Sequence, residues 1–449
     1  MAENFNTYPI DLKSVILYDF KGNAITLTYD LIEIVIEESI DTPVLKGYAR
    51  ILDALNLIEY LPIVGEEKLE LSYTIPGETK VYTKVFHVYG YTSPERQNDR
   101  TLKYDLLFVS SEFKYNGVNR IQKSYTKRSD QIIFDILANY LQIAEATPPK
   151  TFTTDPSCDV LDVIIPNLRP FQAIEFVRSR SYSSKYLTSN YMFFETWDGY
   201  VFKTIDQLIE ETKNEPREFK FIQQNIEQTT DATENPSYDS VINFSLTRPM
   251  DTISSNEQGM FRNSLLTVDW IRKKYETFET DYMTEFGKYQ TVDHVGFPIN
   301  QSAFLEELNA PAKSLAAQGT IHFLPSNHGR NEIAYNRSGG RPKEFFFDTH
   351  YRDYYLPRNN SLMMLRSSKI NAALSGSNLI VAGDVIKVTF PSFTGIEPRF
   401  TQDAKYVSGN YLVAKIKRVI TLENYVMEAE LFKNDYSNEL QYTHEQENA

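Results

Sequence analysis

The chain has 449 residues and a formal net charge of −14, with 41% hydrophobic and 24% charged residues. At about 150 residues per domain there is room for roughly three domains, each able to bury its own core. The acid excess argues against a groove that grips nucleic acid, though a conduit through which nucleic acid slides has reason to avoid sticky walls.

The N-terminal stretch MAENFNTYPID has neither a basic start nor an apolar run, so no signal peptide is expected. No segment approaches the ~18 apolar residues of a spanning helix, and no membrane anchor is expected. From residue 14 to 117 the text is strand after strand. Ile32, Ile34 and Ile36 face one way, with Glu33 and Glu37 on the other side. Val44 to Leu57 reads as one long apolar strand, with Gly47 allowing a bend or bulge. Leu69, Leu71, Tyr73 and Ile75 alternate with Lys68, Glu70, Ser72 and Thr74, and Pro76–Gly77 turns the chain. Val81 to Tyr91 returns, then Leu102, Tyr104, Leu106 and Phe108 follow a polar loop. This spacing predicts a small β-barrel or sandwich over residues 1–117.

Residues 118–217 read as an α+β spacer. Ser129 is placed to cap a helix with Ile133, Ile136, Leu137, Tyr140 and Leu141 on one stripe. Pro170 opens a second helix carrying Phe171, Ile174 and Val177. Asp198–Gly199, between two aromatic-rich runs, predicts a type I′ hairpin, and Thr204 with Gln207 predicts a helix cap. Strands are expected at 219–226, 241–246 and 265–271, so residues 218–285 read as the first part of a second β-barrel. Residues 286–358 read as a loop-rich insertion, and Ser361 as the cap of a short helix. Residues 359–435 close the barrel with strands at 385–391, 411–419 and 425–432, where Lys415 and Lys417 lie opposite Leu412, Ala414 and Ile416. Residues 436–449 form a polar tail. The predicted fold class is mainly β with α+β parts: two antiparallel β-barrels joined by smaller α+β domains.

Chemistry is scarce. Nucleotide-binding glycine loops, GxSxG and HExxH are absent. The histidines are scattered; His322 and His328 are the nearest to a ligand pair, and no metal or cofactor is expected. The single cysteine, Cys158, permits no intrachain disulfide, points to a reducing compartment, and has no basic neighbour to make it a nucleophile. Carboxylate pairs of glycosidase type are offered by Glu66–Glu67, Glu195 with Asp198, and Glu306–Glu307, but carboxylates are abundant and no enzyme is expected. Two groups remain as candidates for function. Glu33, Glu37, Glu70 and Asp105 lie on polar strand faces that would line a channel in a ring of barrels. Arg337, Arg341 and Lys343, beside Phe345, Phe346 and Phe347, would make a partner-contact loop.

Residues 48–73, YARILDALNLIEYLPIVGEEKLELSY, resemble a pattern in baseplate hub proteins of contractile-tailed bacteriophages, carried here by Asp53, Asn56, Leu61, Pro62, Ile63, Gly65 and Glu67. The Pro170–Phe171 helix with the Asp198–Gly199 hairpin, and Ala382 to Val388 with Ser408 to Val413, continue the resemblance in the same order. It implies two related barrels plus smaller α+β domains. Three copies would form a ring that adapts a sixfold tail tube to a threefold central spike and leaves an axial channel for DNA. Partners would be the spike, the tail tube or its initiator, and baseplate wedge and tape-measure proteins. The location would be the virion tail, assembled in the bacterial host cytoplasm. Type VI secretion spike proteins share the hub but add a β-helix, which this sequence lacks. Against the hub stand two other readings: a carbohydrate-binding or adhesion module, and a polysaccharide-degrading enzyme using Glu195 or Asp198.

Overall fold

A computed structural model describes residues 10–54, 56–60, 63–75, 79–98, 100–155, 160–183, 185–221, 239–248, 260–270, 273–281, 286–293, 297–298, 320–325, 351–366, 368–390, 404 and 406–437. The described residues are mostly β, 51% of them in strands and 17% in helices.

The first group holds β1 (Asp11–Tyr18), β2 (Ala24–Thr26), β3 (Leu31–Ser39), β4 (Lys46–Asp53), β5 (Lys68–Thr74), β6 (Tyr82–Tyr91), the short β7 (Glu95–Arg96) and β8 (Leu102–Ser110), with the helical turn α1 (Leu57–Tyr60) after β4. Its strands pair antiparallel in the order β2-β1-β5-β6-β8-β4-β3. Alternation sends Val15, Leu17, Ile34, Ile36, Leu69 and Leu71 into a common core, where Phe86 and Phe108 meet at 4.6 Å between ring centroids. Gly47 bends nothing. A Cβ there would lie 1.9 Å from the Val35 carbonyl oxygen and 2.8 Å from the Phe108 ring, so glycine is required by close approach. The strand expected to run to Leu57 stops at Asp53, whose carboxylate accepts the Leu57 N–H at 2.7 Å and starts α1 instead.

The next segment holds α2 (Glu112–Val118), β9 (Ile121–Arg128), α3 (Ser129–Asn139), β10 (Thr151–Thr154), β11 (Val160–Leu168), α4 (Pro170–Arg178), β12 (Tyr191–Glu195), β13 (Gly199–Thr204) and α5 (Ile205–Thr212). Ile132, Ile133, Ile136, Leu137 and Leu141 bury the apolar stripe of α3, against Ala173, Ile174 and Val177 of α4. Pro170 occupies the first helical turn, and the Thr204 hydroxyl accepts the Gln207 N–H at 3.1 Å. Two local expectations shift. Ser129 is the first helical residue, with Arg128 at the cap position. The β12–β13 turn centres on Trp197–Asp198, closed by Thr196 N–H to Gly199 O at 2.7 Å, and neither central residue has the positive φ of a type I′ turn. Gly199 is required instead because β10 runs beside it: a Cβ would lie 2.3 Å from the Thr151 carbonyl oxygen.

The second group comprises β14 (Arg217–Phe221), β15 (Ser240–Arg248), then, after an insertion, β20 (Ser368–Ser375), β21 (Val385–Thr389), β22 (Gly409–Ile420) and β23 (Tyr425–Lys433). These six close into a barrel in the order β22-β21-β14-β15-β20-β23, with β23 back on β22. The insertion contributes β16 (Arg262–Asp269), β17 (Lys274–Asp281), β18 (Phe297–Pro298), β19 (Thr320–Pro325) and α6 (Tyr351–Leu365), and β18 pairs with β24 (Asp435–Tyr436). The strand expected at 265–271 belongs to a separate sheet, β17-β16-β19. Ser361 caps nothing. It lies inside the fifteen-residue α6 and accepts a hydrogen bond from Asn190 Nδ2 at 2.7 Å.

Strand β22 joins the two groups. Residues 409–412 pair with β21, and residues 415–420 pair with β3. Its ladder with β23 is irregular between Val413 and Lys415, where the handover occurs. The result is one fourteen-stranded sheet running through both groups.

Candidate functional site: a shared polar face

The ladders decide which side chains share a face. Glu37 of β3 lies opposite Lys46 of β4 and Lys417 of β22, Glu33 lies opposite Arg50, and Arg50 lies opposite Asp105 of β8. Lys417 and Lys415 in turn lie opposite Glu428 and Glu430 of β23. Period-two alternation therefore carries one polar face across β8, β4, β3, β22 and β23. The contacts follow. Arg50 reaches Glu33 at 2.6 Å and Asp105 at 2.9 Å; Lys415 reaches Glu37 at 2.9 Å; Lys369 of β20 reaches Glu430 at 2.7 Å. Part-burial pushes the Glu37 carboxyl up, but the Lys415 hydrogen bond and the Lys415, Lys46 and Lys417 charges hold it below its ordinary value. A shallow cavity of about 340 Å³ opens on this face between Asn243, Ser245, Asn371, Lys415, Lys417 and Glu430.

Three of the four predicted channel residues, Glu33, Glu37 and Asp105, thus stand on one face, each ion-paired. Glu70 lies on the same outward side of the sheet, two strands beyond Asp105, but takes no part in these ion pairs. It lies on β5, where its carboxylate accepts the Tyr18 hydroxyl at 3.4 Å. Arg337, Arg341 and Lys343, His328, Glu306–Glu307 and Cys158 lie outside the described residues.

Behind the polar face lies a charge the alternation pattern contained but the sequence reading passed over. Continuing Leu412, Ala414 and Ile416 by two places puts Arg418 on the buried side, and it is fully buried. Its guanidinium reaches Glu38 at 3.2 Å and donates to the carbonyls of Ser377 and Ile380 at 2.9 and 2.8 Å and to the Tyr425 hydroxyl at 2.9 Å. Trp197 lies 5.9 Å from it, ring centroid to guanidinium carbon. Burial pushes the Glu38 carboxyl up, and Arg418 and the Ala382 N–H offset only part of that.

Glu195 is buried as well and has a structural assignment. It ion-pairs with Lys150 at 2.6 Å and Lys84 at 3.9 Å and accepts the Leu45 N–H at 3.0 Å; Lys150 also meets Glu112. Burial alone would raise the Glu195 carboxyl, but the Lys150 and Lys84 charges hold it below its ordinary value. This cluster ties the α+β segment to β6 and the β3–β4 connection. Asp198, by contrast, is exposed and lines a pocket of about 190 Å³ to which Glu195 does not contribute. One carboxylate is locked in the core and the other lies at the surface, so the two do not flank a common substrate position. Glu67 is likewise engaged, accepting the backbone N–H groups of Val64, Gly65 and Glu66. His322 meets Tyr355, its Nδ1 3.3 Å from the phenol oxygen, and no group of three or more metal-ligating side chains occurs among the described residues.

No family model matches the sequence, and no curated protein matches it. Solved structures do match in fold. A tail protein from Neisseria meningitidis MC58 aligns with TM-score 0.51 at 8% identity, covering 95% of this chain and 97% of that one. The 43 kDa tail protein of prophage MuSo2 from Shewanella oneidensis aligns with TM-score 0.51 at 8% identity, covering 94% and 98%. A type VI secretion system component from E. coli aligns over 97% and 79% at 8% identity, but its TM-score of 0.41 carries no argument. The chain therefore has the fold of phage tail proteins over nearly its whole length. No helix among the described residues is long and apolar enough to cross a membrane.

Proposed function

We propose that the protein is a structural hub of a phage tail baseplate, without enzymatic activity. Three copies close a ring, and the face bearing Glu33, Glu37, Asp105, Lys415 and Lys417 forms the wall of an axial channel for DNA. The observation that carries this reading is the continuity of that face. A single sheet runs through both strand groups, so each copy supplies two barrel-sized arcs of one wall. Charge supports it as well. Glu33, Glu37, Asp105, Glu428 and Glu430 are matched by Lys46, Arg50, Lys369, Lys415 and Lys417, and a wall with balanced, paired charges neither traps nor repels a polyanion strongly. The ring would adapt a tail tube or its initiator to a central spike, with wedge and tape-measure proteins as further neighbours, in a virion tail assembled in the host cytoplasm. The chain would divide close to what the sequence suggests: a first barrel over 1–117, an α+β spacer over 118–217, and a second barrel built from the strands between 217 and 248 and between 368 and 433, with the strands at 262–281 belonging to the insertion.

Sedimentation equilibrium across a concentration series, followed by averaged particle images, tests this. The expected outcome is a trimer with a central opening lined by β3 and β22. A monomer at every concentration, alone and with a spike-type partner, would remove the ring, and a ring with the Glu37 face turned outward would remove the channel.

A second reading keeps one feature in its favour. A groove of about 630 Å³ between α3 and β10 carries Phe134 stacked on Phe152, flanked by Gln131, Asp135 and Asn139. Aromatic rings beside hydrogen-bonding groups suit a sugar. Oligosaccharide binding by a monomer, lost in Phe134→Ala, would carry the adhesion reading.

A further inference from the structure

Between β17 and β18 the insertion crosses one end of the second barrel, and there residues 290–293 are held by side chains rather than by strand pairing. The Asp206 carboxylate of α5 accepts the Gln290 N–H at 2.7 Å. Asn434 donates through Nδ2 to the Gln290 carbonyl at 3.0 Å and accepts the Val292 N–H at 3.2 Å. Asn410 of β22 donates to the Val292 carbonyl at 3.0 Å, and Asp435 accepts the Asp293 N–H at 3.1 Å. The Val292 side chain is fully buried, in the cluster that holds Leu412 and Phe432. The segment is thus bound as a peptide ligand would be, its backbone met by Asn and Asp side chains and one apolar residue in a pocket. The carboxylates of this grip differ. Asp293 accepts the Asn410 N–H at 3.0 Å and meets Lys433 at 2.9 Å, and that lysine also donates to the Ser408 carbonyl and the Ser437 hydroxyl. Asp206 has both oxygens met, the second by Thr188 and Asn190 at 2.9 Å each. Asp435 is fully buried, and its Oδ1 has no hydrogen-bond partner among the described residues. A buried carboxylate oxygen without a donor, beside a second carboxylate, is a place for a proton.

We propose that residues 290–293 are a pH-sensitive strap: they dock on the second barrel while Asp435 is protonated and lift from it, with both barrels intact, when Asp435 ionises. An ionised Asp435 is a second buried negative charge beside Asp293, with Lys433 serving both. Lifting the strap carries Asp293 away and lets water reach Asp435. Burial and the Asp293 charge push the docked Asp435 carboxyl up to about 7, against Lys433, the Asp293 N–H and Lys213. Lys213 itself donates to the Gln290 side chain at 2.8 Å. Tyr411 and Tyr436, the other titratable groups beside Asp435, are pushed up by burial and stay neutral. With the strap lifted, Asp435 returns toward the ordinary 3.8. The docked state holds the raised value, so docking is strongest in acid and weakens as pH rises through about 7. Between pH 5 and 8 the open fraction should rise on the order of tenfold to a hundredfold. This local opening does not depend on the hub reading.

Amide hydrogen exchange of the full chain, corrected for the intrinsic pH dependence of exchange, reads the strap at the Gln290, Val292 and Asp293 N–H groups. From pH 5 to 8 their protection should fall on the order of tenfold to a hundredfold, while the amides of β20 and β21 keep theirs. Asp435→Asn retains an acceptor for the Asp293 N–H and removes the charge, so protection should stay high at both pH values. Asn434→Ala removes two of the hydrogen bonds and should lower protection at both, again sparing β20 and β21. Protection at 290–293 that does not change with pH in the wild type would overturn the proposal. So would a loss in step with β20 and β21, which would be unfolding of the whole barrel. The wild-type pH dependence persisting in Asp435→Asn would take the switch away from Asp435.

Discussion

Glu37 and Glu38 are neighbours on β3 and face opposite ways. Lys415 meets Glu37 at 2.9 Å and Arg418 meets Glu38 at 3.2 Å, so the two contacts are alike in length. Their surroundings differ. The Lys415 and Glu37 side chains keep 30% and 23% of their exposure, whereas Arg418 and Glu38 keep none. Water screens the first pair, which places it with surface ion pairs worth about 0–1 kcal/mol. The second pair has lost its hydration and depends on having its donors met by Ser377, Ile380 and Tyr425. The side of the pleat, more than residue type, separates a water-screened surface pair from a structural clamp.

The largest expected effect breaks the clamp. Arg418→Ala strands a buried carboxyl and opens a void, which costs about 3–5 kcal/mol. Urea unfolding should show a lower midpoint at an unchanged slope. Arg418→Met combined with Glu38→Leu should recover most of the loss, since a hydrophobic pair of similar volume needs no compensating charge. A single variant that loses less than about 1 kcal/mol would mean the two pairs do not differ as their burial says.

An intermediate effect comes from a buried acid whose lysine is shared. Asp435 is pushed up to about 7 by burial and by the neighbouring Asp293, against Lys433, which reaches Asp293 at 2.9 Å. Unfolded, an aspartate titrates near 3.8. Between those values the folded chain holds a proton that the unfolded chain has lost, so this group adds stability as pH falls from about 8 to 5. The gain is roughly 1–3 kcal/mol over that range. His87, half-buried and held below its ordinary value by burial, works the other way below pH 6.5. Comparison with Asp435→Asn isolates the aspartate. The variant should be the more stable at pH 8, by a margin that narrows by roughly 1–3 kcal/mol at pH 5. A constant difference across that range would contradict the assignment.

Much of this was legible locally. Alternation gave the strands and their wet faces, and it placed Glu33, Glu37 and Asp105 on the polar side. Pro170 and Thr204 marked helix starts because a fixed φ and a hydroxyl acceptor act within one turn. What the pattern could not carry was partner choice. Nothing in residues 409–420 says that the strand changes neighbours at Ala414, because pairing with β3 is decided by packing almost four hundred residues away in sequence. The Glu195 cluster was illegible for the same reason: Lys84, Glu112 and Lys150 come from separate elements. Ser361 misled because a cap residue and a mid-helix serine bonded to a distant Asn190 look identical in sequence. Arg418 was legible, since period two already placed it with Ile416. The expectation that arginine stays wet obscured it.

The smallest expected effect lies on the polar face, and its smallness is what separates the face from the clamp. Lys415→Ala removes an exposed pair and should change stability by less than about 1 kcal/mol, with most of that change gone at high salt, where exposed charges are screened. Glu37→Lys is the sharper version. It places a fourth cation beside Lys46, Lys415 and Lys417, removes the carboxylate that balances them, and should still fold within about 1–2 kcal/mol of wild type. If the face lines a DNA channel, that variant should assemble normally and slow genome delivery, because a local cluster of unpaired cations holds phosphates in a salt-dependent way. Normal delivery by correctly assembled particles would detach the face from the channel while leaving the fold, the clamp and the ring untouched.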